Sequence, residues 1–225
     1  MYDDERNPAT AEEVRVAIYR SLAGSGRLPP VEDLIAIAGS ATELAACIDQ
    51  LASTRHLALD ARGEIVLAHP FATRSFGYSV MGAEALWWGG CAWDSFAIPH
   101  LVQKGEVLVA TQCPQCRAPL AWVVGTDAPP AGDEVAHFLV PVAHMWDDVI
   151  HTCSNQRLFC SNACIDGWIA DTDTTEGYRM DLETLWRFAS HWYDGRLDRG
   201  YQRRHPDTAQ DYLRSVGLTG PFWGS

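Results

Sequence analysis

Four of the seven cysteines lie in two close pairs, and this spacing constrains the fold more than any other feature of the chain. In a four-cysteine zinc site, each of two such pairs contributes two thiolates from one turn. The metal then joins two segments that are distant in the sequence. The second pair, within Phe-Cys-Ser-Asn-Ala-Cys, is similar to the second half of small treble-clef metal-binding modules. We therefore predict a structural zinc site with these ligands: Cys113, Cys116, Cys160 and Cys164.

Other roles for these four cysteines stay open at this point. A Cys-x-x-Cys pair also occurs as a redox pair. Buried cysteines behave as small hydrophobic residues, and thiolates also bind labile heavy metals.

Three cysteines remain outside the pairs. Cys47 follows the apolar spacing of a predicted helix, so we expect it in the core. Cys91 and Cys153 instead lie beside polar residues, in Cys-Ala-Trp-Asp and Cys-Ser-Asn. If Cys91 begins a helical turn, Asp94 at i+3 lies on the same face. A carboxylate raises the pKa of a neighbouring thiol, which disfavours a protease-type nucleophile but suits two thiolates that bind a soft metal beside a proton donor.

The overall charge argues against two classes of partner. The 225 residues include 29 acidic and 17 basic side chains, a net charge of −12. Nucleic acids and anionic membranes require a basic face. The chain shows neither a signal-peptide pattern nor the roughly 18 consecutive apolar residues of a membrane span. We therefore expect a cytoplasmic protein with no nucleic-acid or membrane partner, whose thiols are reduced.

The first 75 residues predict a helical, winged-helix-like module. Apolar residues recur at helical spacing over 9–23, and two further helices are predicted over 31–38 and 41–53. Two short apolar runs around an Asp-Ala-Arg-Gly turn, within 57–68, predict a hairpin. Residues 1–70 hold 11 acidic residues against six arginines. We therefore expect this module to pack on a catalytic domain rather than to bind DNA.

The remainder, residues 76–225, predicts an α+β domain. Extended segments are predicted over 107–111, 121–124 and 135–142, with a Pro-Pro-Ala-Gly turn between the last two. Apolar residues over 182–193 return to a helical period.

The chain resembles the organomercurial (alkylmercury) lyases. The resemblance begins at Ala-His-Pro-Phe (68–71) and is strongest in Gly-Cys-Ala-Trp-Asp-Ser-Phe-Ala-Ile-Pro (90–99). It continues through Cys113 and Cys153-Ser-Asn to a closing helix over 185–193. It implies an α+β fold, with the winged-helix-like module of 1–75 followed by a mixed β-sheet catalytic domain with helices over 76–225. The four-cysteine motif departs from the family pattern and marks a divergent member.

The resemblance implies that Cys91, Asp94 and Cys153 are catalytic and that the two cysteines bind mercury. The implied reaction is protonolysis of a carbon–mercury bond, which gives a hydrocarbon and Hg(II). It implies an organomercurial substrate, no organic cofactor, and external low-molecular-weight thiols for turnover. The product would pass to such thiols or to a mercuric reductase.

The residues near the motif suggest an enclosed site. We expect an aromatic pocket formed by Trp88, Trp93 and Phe96, with Ser95 and His151 as further polar candidates. Two other functions stay open: a non-catalytic heavy-metal carrier or sensor on the same fold, and a thiol enzyme on the same fold with a non-mercury substrate.

Overall fold

The computed structural model describes residues 8–224, and its first elements match the predicted N-terminal order. Three helices are followed by an antiparallel hairpin: α1 (Pro8–Ser25), α2 (Val31–Ala38), α3 (Ala41–Ser53), β1 (Ala58–Leu59) and β2 (Ile65–Ala68). Cys47 is buried on α3, as expected. The likeness of this arrangement to a winged helix stays a prediction.

Seven strands form the main sheet, in the order β1-β2-β3-β5-β4-β6-β7. The strands after the hairpin are β3 (Phe71–Ala72), β4 (Tyr78–Met81), β5 (Leu86–Gly89), β6 (Val107–Gln112) and β7 (Pro119–Val124). The sheet therefore continues across the predicted module boundary at residues 75 and 76, which falls between β3 and β4.

A second sheet has the order β10-β8-β9. Its strands are β8 (Val135–Phe138), β9 (Gln156–Phe159) and β10 (Tyr178–Asp181). The α+β class is confirmed, but every strand pair within residues 8–224 is antiparallel, and the expected mixed sheet is wrong in this respect. Most connections within the main sheet are short, and a parallel pair would need a crossover of a dozen or more residues.

The helix α4 (Ala92–Val102) lies at the centre of the protein. Nine of its residues, 92–100, are buried. It packs against helix α7 (Leu182–Ser190), against strands of the main sheet, and against β9. A helix that is apolar on all sides is typically enclosed by other elements. The first turn of α4 therefore lies in the interior.

The remaining helices are α5 (Val149–Ser154), α6 (Asn162–Thr172) and α8 (Pro206–Ser215), and short 3-10 helices cover Val142–His144 and Pro221–Trp223. None of the helices within residues 8–224 combines the length and the apolar character that a membrane span needs.

The N-terminal helix α1 holds the loop between α7 and α8. Arg15 is fully buried and donates hydrogen bonds to the carbonyl oxygens of Arg196, at 2.7 Å, and Asp198, at 2.5 Å. Its charge is balanced by Glu12, 2.7 Å away. Main-chain carbonyls that accept from a buried guanidinium are fixed in position, because leaving such donors unpaired is costly.

Tyr78 on β4 joins the two sheets. Its hydroxyl accepts a hydrogen bond from the Leu158 amide at 2.9 Å and donates to the Gln156 carbonyl at 3.5 Å. Both partners lie on β9, which directly follows the helix that carries Cys153.

We predict that Tyr78→Phe lowers the free energy of unfolding by about 1–3 kcal/mol, because the Leu158 amide is left buried without an acceptor. Urea unfolding followed by tryptophan fluorescence measures this change. The matched control is Tyr178→Phe, whose hydroxyl makes no hydrogen bond with residues 8–224. Equal stability of the two variants would contradict the role given to Tyr78.

Candidate active site and cysteine cluster

Cys91 is the N-cap residue of α4. Its sulfur accepts a hydrogen bond from the Asp94 amide at 3.3 Å, and the Ser95 hydroxyl donates to the Cys91 carbonyl at 2.6 Å. A Cβ added at Gly90 would collide with the Asp94 carboxylate. The Gly-Gly-Cys sequence therefore lets the chain pass directly beside the first turn of α4.

Asp94 is buried and carries a hydrogen-bond partner on each carboxylate oxygen. Oδ2 lies 2.9 Å from His69 Nδ1, and Oδ1 accepts a hydrogen bond from the Tyr193 hydroxyl at 2.5 Å. His69 lies between β2 and β3, and Tyr193 follows α7. Three separate parts of the chain therefore meet at one carboxylate. Sequence reasoning did not assign either partner to the site.

Cys153 completes the predicted trio. It lies near the end of α5, is buried, and its thiol neighbours the thiol of Cys91. Its sulfur and ligand atoms of His69 and Asp94 all lie within 4.8 Å of one another. The structure thus brings Cys91, Asp94 and Cys153 together, although 62 residues separate the two cysteines.

Burial keeps both thiols protonated at neutral pH. The pKa of Cys91 is raised well above its ordinary value by desolvation, and the hydrogen bond with Cys153 and the Asp94 charge raise it further. For Cys153, the hydrogen bond from Cys91 lowers the pKa, but desolvation and the Asp94 charge together outweigh it and the pKa is raised. A metal that binds here must therefore displace thiol protons.

The trio borders a cavity of about 360 Å³. Its aromatic wall is formed by Trp93, Trp146, Phe188, Trp192, Tyr193 and Trp223. Of the predicted pocket residues, only Trp93 lies there. Trp88 borders a separate depression beside Arg157, and Phe96 packs on Trp122, with ring centroids 6.0 Å apart.

The two weaker polar candidates have local contacts. Ser95 lies in the first turn of α4, and its hydroxyl donates to the Cys91 carbonyl four residues earlier. His151 is exposed, and its contacts are with Asn155 and the Asp148 carboxylate at the start of α5. It does not border the cavity.

The four paired cysteines form a second cluster, which we call the four-cysteine group. Cys113 and Cys116 lie in the turn between β6 and β7; Cys160 follows β9, and Cys164 lies in the first turn of α6. All four sulfurs lie within 4.8 Å of one another, and those of Cys116 and Cys160 are 3.5 Å apart. Tetrahedral thiolates at 2.3 Å from a metal are about 3.8 Å apart, so this group can hold a metal ion.

Main-chain donors favour a thiolate in this group. Burial raises the pKa of Cys113, but amides of Cys116, Cys160 and Gln115 donate to its sulfur and lower the pKa to about 7. The pKa of Cys160 is raised to about 12 by burial and by hydrogen bonds with the sulfurs of Cys116 and Cys113. A first thiolate therefore forms readily in this group, and a bound cation is needed to stabilise further thiolates.

Known proteins are similar to this chain in sequence and in fold. The sequence profile of the MerB alkylmercury lyases matches residues 71–194, more than half of the chain, including all seven cysteines except Cys47. The crystal structure of the mercury-bound form of MerB2 superposes with a TM-score of 0.65 at 18% identity, covering 85% of this chain and 93% of that one. No curated protein sequence matches. The chain belongs to the alkylmercury lyase family, the enzymes that cleave carbon–mercury bonds.

Proposed function

We propose that the protein cleaves organomercurials by protonolysis, giving a hydrocarbon and Hg(II), with Cys91, Asp94 and Cys153 as the catalytic residues. The observation that carries this proposal is the buried cluster in which the Cys153 thiol lies beside the Asp94 carboxylate and the Cys91 sulfur lies 3.3 Å from the Asp94 amide. Soft thiolates are the ligands that mercury prefers, and the carboxylate is the only carboxyl group of residues 8–224 that borders the cavity.

Capture of the substrate is a thiol exchange. The organomercurial arrives as R–Hg–SR′, bound to a carrier thiol. A thiol of the trio forms a sulfur–mercury bond, the bond from mercury to the carrier breaks, and the carrier leaves with the displaced proton as R′SH. Because both thiols have raised pKa values, each is protonated until mercury replaces its proton.

Cleavage needs the second thiol and the carboxylate. The second thiol transfers its proton to Asp94 and its sulfur binds mercury, which increases electron density on the metal. Asp94 then donates that proton to the carbon. The electron pair of the carbon–mercury bond becomes the new carbon–hydrogen bond, and Hg(II) stays on the two thiolates. Proton donation by a positioned carboxylic acid contributes typically 10²–10⁴-fold to a rate.

His69 and Tyr193 are positioning residues in this proposal. They hold the two oxygens of Asp94 at 2.9 and 2.5 Å, and so fix the direction from which the carboxyl group approaches the substrate. The surrounding aromatic wall excludes water, which strengthens these electrostatic contacts.

Release of Hg(II) completes the cycle. Small external thiols extract it by the reverse of the capture exchange, directly or on the way to a mercuric reductase. No step requires an organic cofactor. We propose a cytoplasmic location, because the thiols must stay reduced.

We also propose that the four-cysteine group holds a structural zinc ion. Four sulfur ligands in two turns suit zinc, and the amides that donate to Cys113 stabilise a thiolate ligand. The second pair begins seven residues after Cys153. A bound zinc would therefore tie β9, and with it the catalytic cysteine, to the β6–β7 turn.

We predict that wild-type protein releases benzene from phenylmercury in excess 2-mercaptoethanol, and that Asp94→Asn lowers the rate by at least about 100-fold, because the proton donor is lost. Gas chromatography of benzene measures the rate. Cys91→Ser and Cys153→Ser should also stop release, whereas Cys47→Ser should not. Uptake of phenylmercury by wild type without benzene release would instead indicate a non-catalytic mercury-binding protein.

We predict that Tyr193→Phe lowers kcat by roughly 100-fold, the size found when one preorganised donor is removed, while capture of phenylmercury is unchanged. Capture is followed by loss of titratable thiols in single-turnover mixing. This separation distinguishes a positioning role from a general loss of structure. Tyr178→Phe is the control, and parallel loss of capture and cleavage would oppose the assigned role.

We predict about one zinc ion per chain after purification without chelators, since one four-cysteine group holds one metal. Cys116→Ser should remove zinc and lower Tm by roughly 5–10 °C, equivalent to about 2–3 kcal/mol for a chain of this size. Elemental analysis and thermal unfolding measure these effects, with Cys47→Ser as the control. Wild type that has no zinc and does not bind added zinc would contradict the prediction.

A further inference from the structure

Four arginines that the cleavage reaction does not use border the catalytic cavity. They are Arg55, Arg196, Arg203 and Arg204, and Asp94 is the only acidic residue among the cavity-lining residues within 8–224. This is unexpected in a chain of net charge −12. The cavity is therefore an electropositive region on an acidic protein, and such a region concentrates anions.

Two of these guanidinium groups have no counter-charge within residues 8–224. The side chains of Arg55 and Arg203 make neither an ion pair nor a hydrogen bond with this described part of the chain. Both lie instead over the Trp146 ring, at 5.6 and 4.5 Å from its centroid. Clustered arginines are usually accompanied by a carboxylate. These two positive charges share the Trp146 ring without such a partner in the described structure.

Arg196 also keeps an unused donor. It is buried, and its Nη1 donates to the Tyr19 hydroxyl at 3.0 Å, but its Nε has no hydrogen-bond partner in the described structure. Buried side-chain donors are normally paired. Arg204 donates to the His191 carbonyl at 2.6 Å, which fixes it at the cavity edge.

Neighbouring groups respond to this positive charge. The pKa of His56 is lowered to about 4 by burial and then by Arg196, Arg15 and Arg203. Burial lowers the pKa of Arg203 itself, and repulsion from Arg196 and Arg55 lowers it further. The Glu12 carboxylate nearby is already paired with Arg15.

Aromatic rings link three of these arginines to the two residues that hold Asp94. The Trp146 ring that contacts Arg203 packs edge-on against His69, with centroids 5.7 Å apart. Arg196 lies 5.0 Å from the Tyr193 ring, whose hydroxyl binds Asp94. A ligand whose mercury reaches the thiols can therefore place an anionic group against these arginines.

We propose that these arginines bind a carboxylate carried by the mercury compound, so that the enzyme prefers organomercurials whose organic group or carrier thiol is a carboxylic acid. This proposal rests on the proposed lyase function. The planar guanidinium group pairs with a carboxylate through two parallel hydrogen bonds. In the exchange step the carboxylated carrier R′SH leaves with the proton of the catalytic thiol, so atoms and charge balance.

The test compares four reactions in a matched set. Phenylmercury and 4-(hydroxymercuri)benzoate are each supplied with 2-mercaptoethanol or with mercaptosuccinate, and kcat/KM is measured from hydrocarbon release. The benzoate compound carries the carboxylate on the organic group, whereas mercaptosuccinate carries it on the carrier thiol. We expect wild type to prefer at least one carboxylated combination by roughly tenfold or more, the size of one hydrogen bond to a charged group.

The variant Arg203→Gln should reduce this preference, and Arg55→Gln combined with it should remove the preference. Arg27→Gln is the matched control, because Arg27 is exposed and lies outside the cavity. It should keep the wild-type preference. A wild-type enzyme with equal kcat/KM in all four reactions, or a preference that survives both arginine substitutions, would overturn the carboxylate site.

A second measurement does not depend on turnover. Rates of thiol capture are measured for both mercurials with Asp94→Asn, by stopped-flow quenching of tryptophan fluorescence. Faster capture of the carboxylated mercurial, lost in Asp94→Asn/Arg203→Gln, supports the carboxylate site even if no hydrocarbon is released. Equal capture rates for the two mercurials would overturn the carboxylate site. Hydrocarbon release by the wild type would still support the lyase function in that case.

Discussion

The buried Asp94 carboxylate organises the candidate active site. It is held by His69, by Tyr193 and by its own place in the first turn of α4, which brings a loop of the main sheet, the end of α7 and the central helix to one point. A carboxylate in the interior needs such partners, because unpaired buried charge is costly. Next to two protonated thiols, the same arrangement provides a fixed group that can accept one proton and donate it again.

The N-terminal helices contribute to the site although none of their residues belongs to the trio that we propose to be catalytic. Arg15 fixes the carbonyls of Arg196 and Asp198, and this loop also carries Tyr193. The Trp87 indole donates to the Leu22 carbonyl at 2.9 Å, which joins α1 to the main sheet just before Cys91. The acidic composition of this module is thus compatible with a supporting role, in which the buried Arg15 is the cation that holds the loop.

The sequence was sufficient for the parts of the fold and site that depend on local spacing. Helical periodicity predicted α1 to α3, and the i, i+3 relation predicted that Asp94 lies beside Cys91. His69 and Tyr193 lie 25 and 99 residues from Asp94, and no local spacing connects them to it. In sequence, Arg196, Arg203 and Arg204 resemble part of an ordinary charged loop, because only the folded chain places them at a cavity. Whether two strands pair parallel or antiparallel likewise depends on which strands become neighbours, and the alternation of apolar and polar residues along a strand does not show this.

The two sets of cysteines differ in their electrostatic surroundings, and this difference suits the two uses of metal that we propose. In the four-cysteine group, amides lower the pKa of Cys113 to about 7, whereas the pKa values of Cys160 and Cys164 are raised, so one thiolate forms readily and a resident cation would stabilise the others. In the catalytic pair, burial and the Asp94 charge raise both pKa values, so thiolates form only when a strongly thiophilic metal replaces the protons. Hard or weakly thiophilic cations cannot compensate that cost. A site that must stay empty between substrates therefore benefits from the same raised pKa values that would weaken an ordinary cysteine nucleophile.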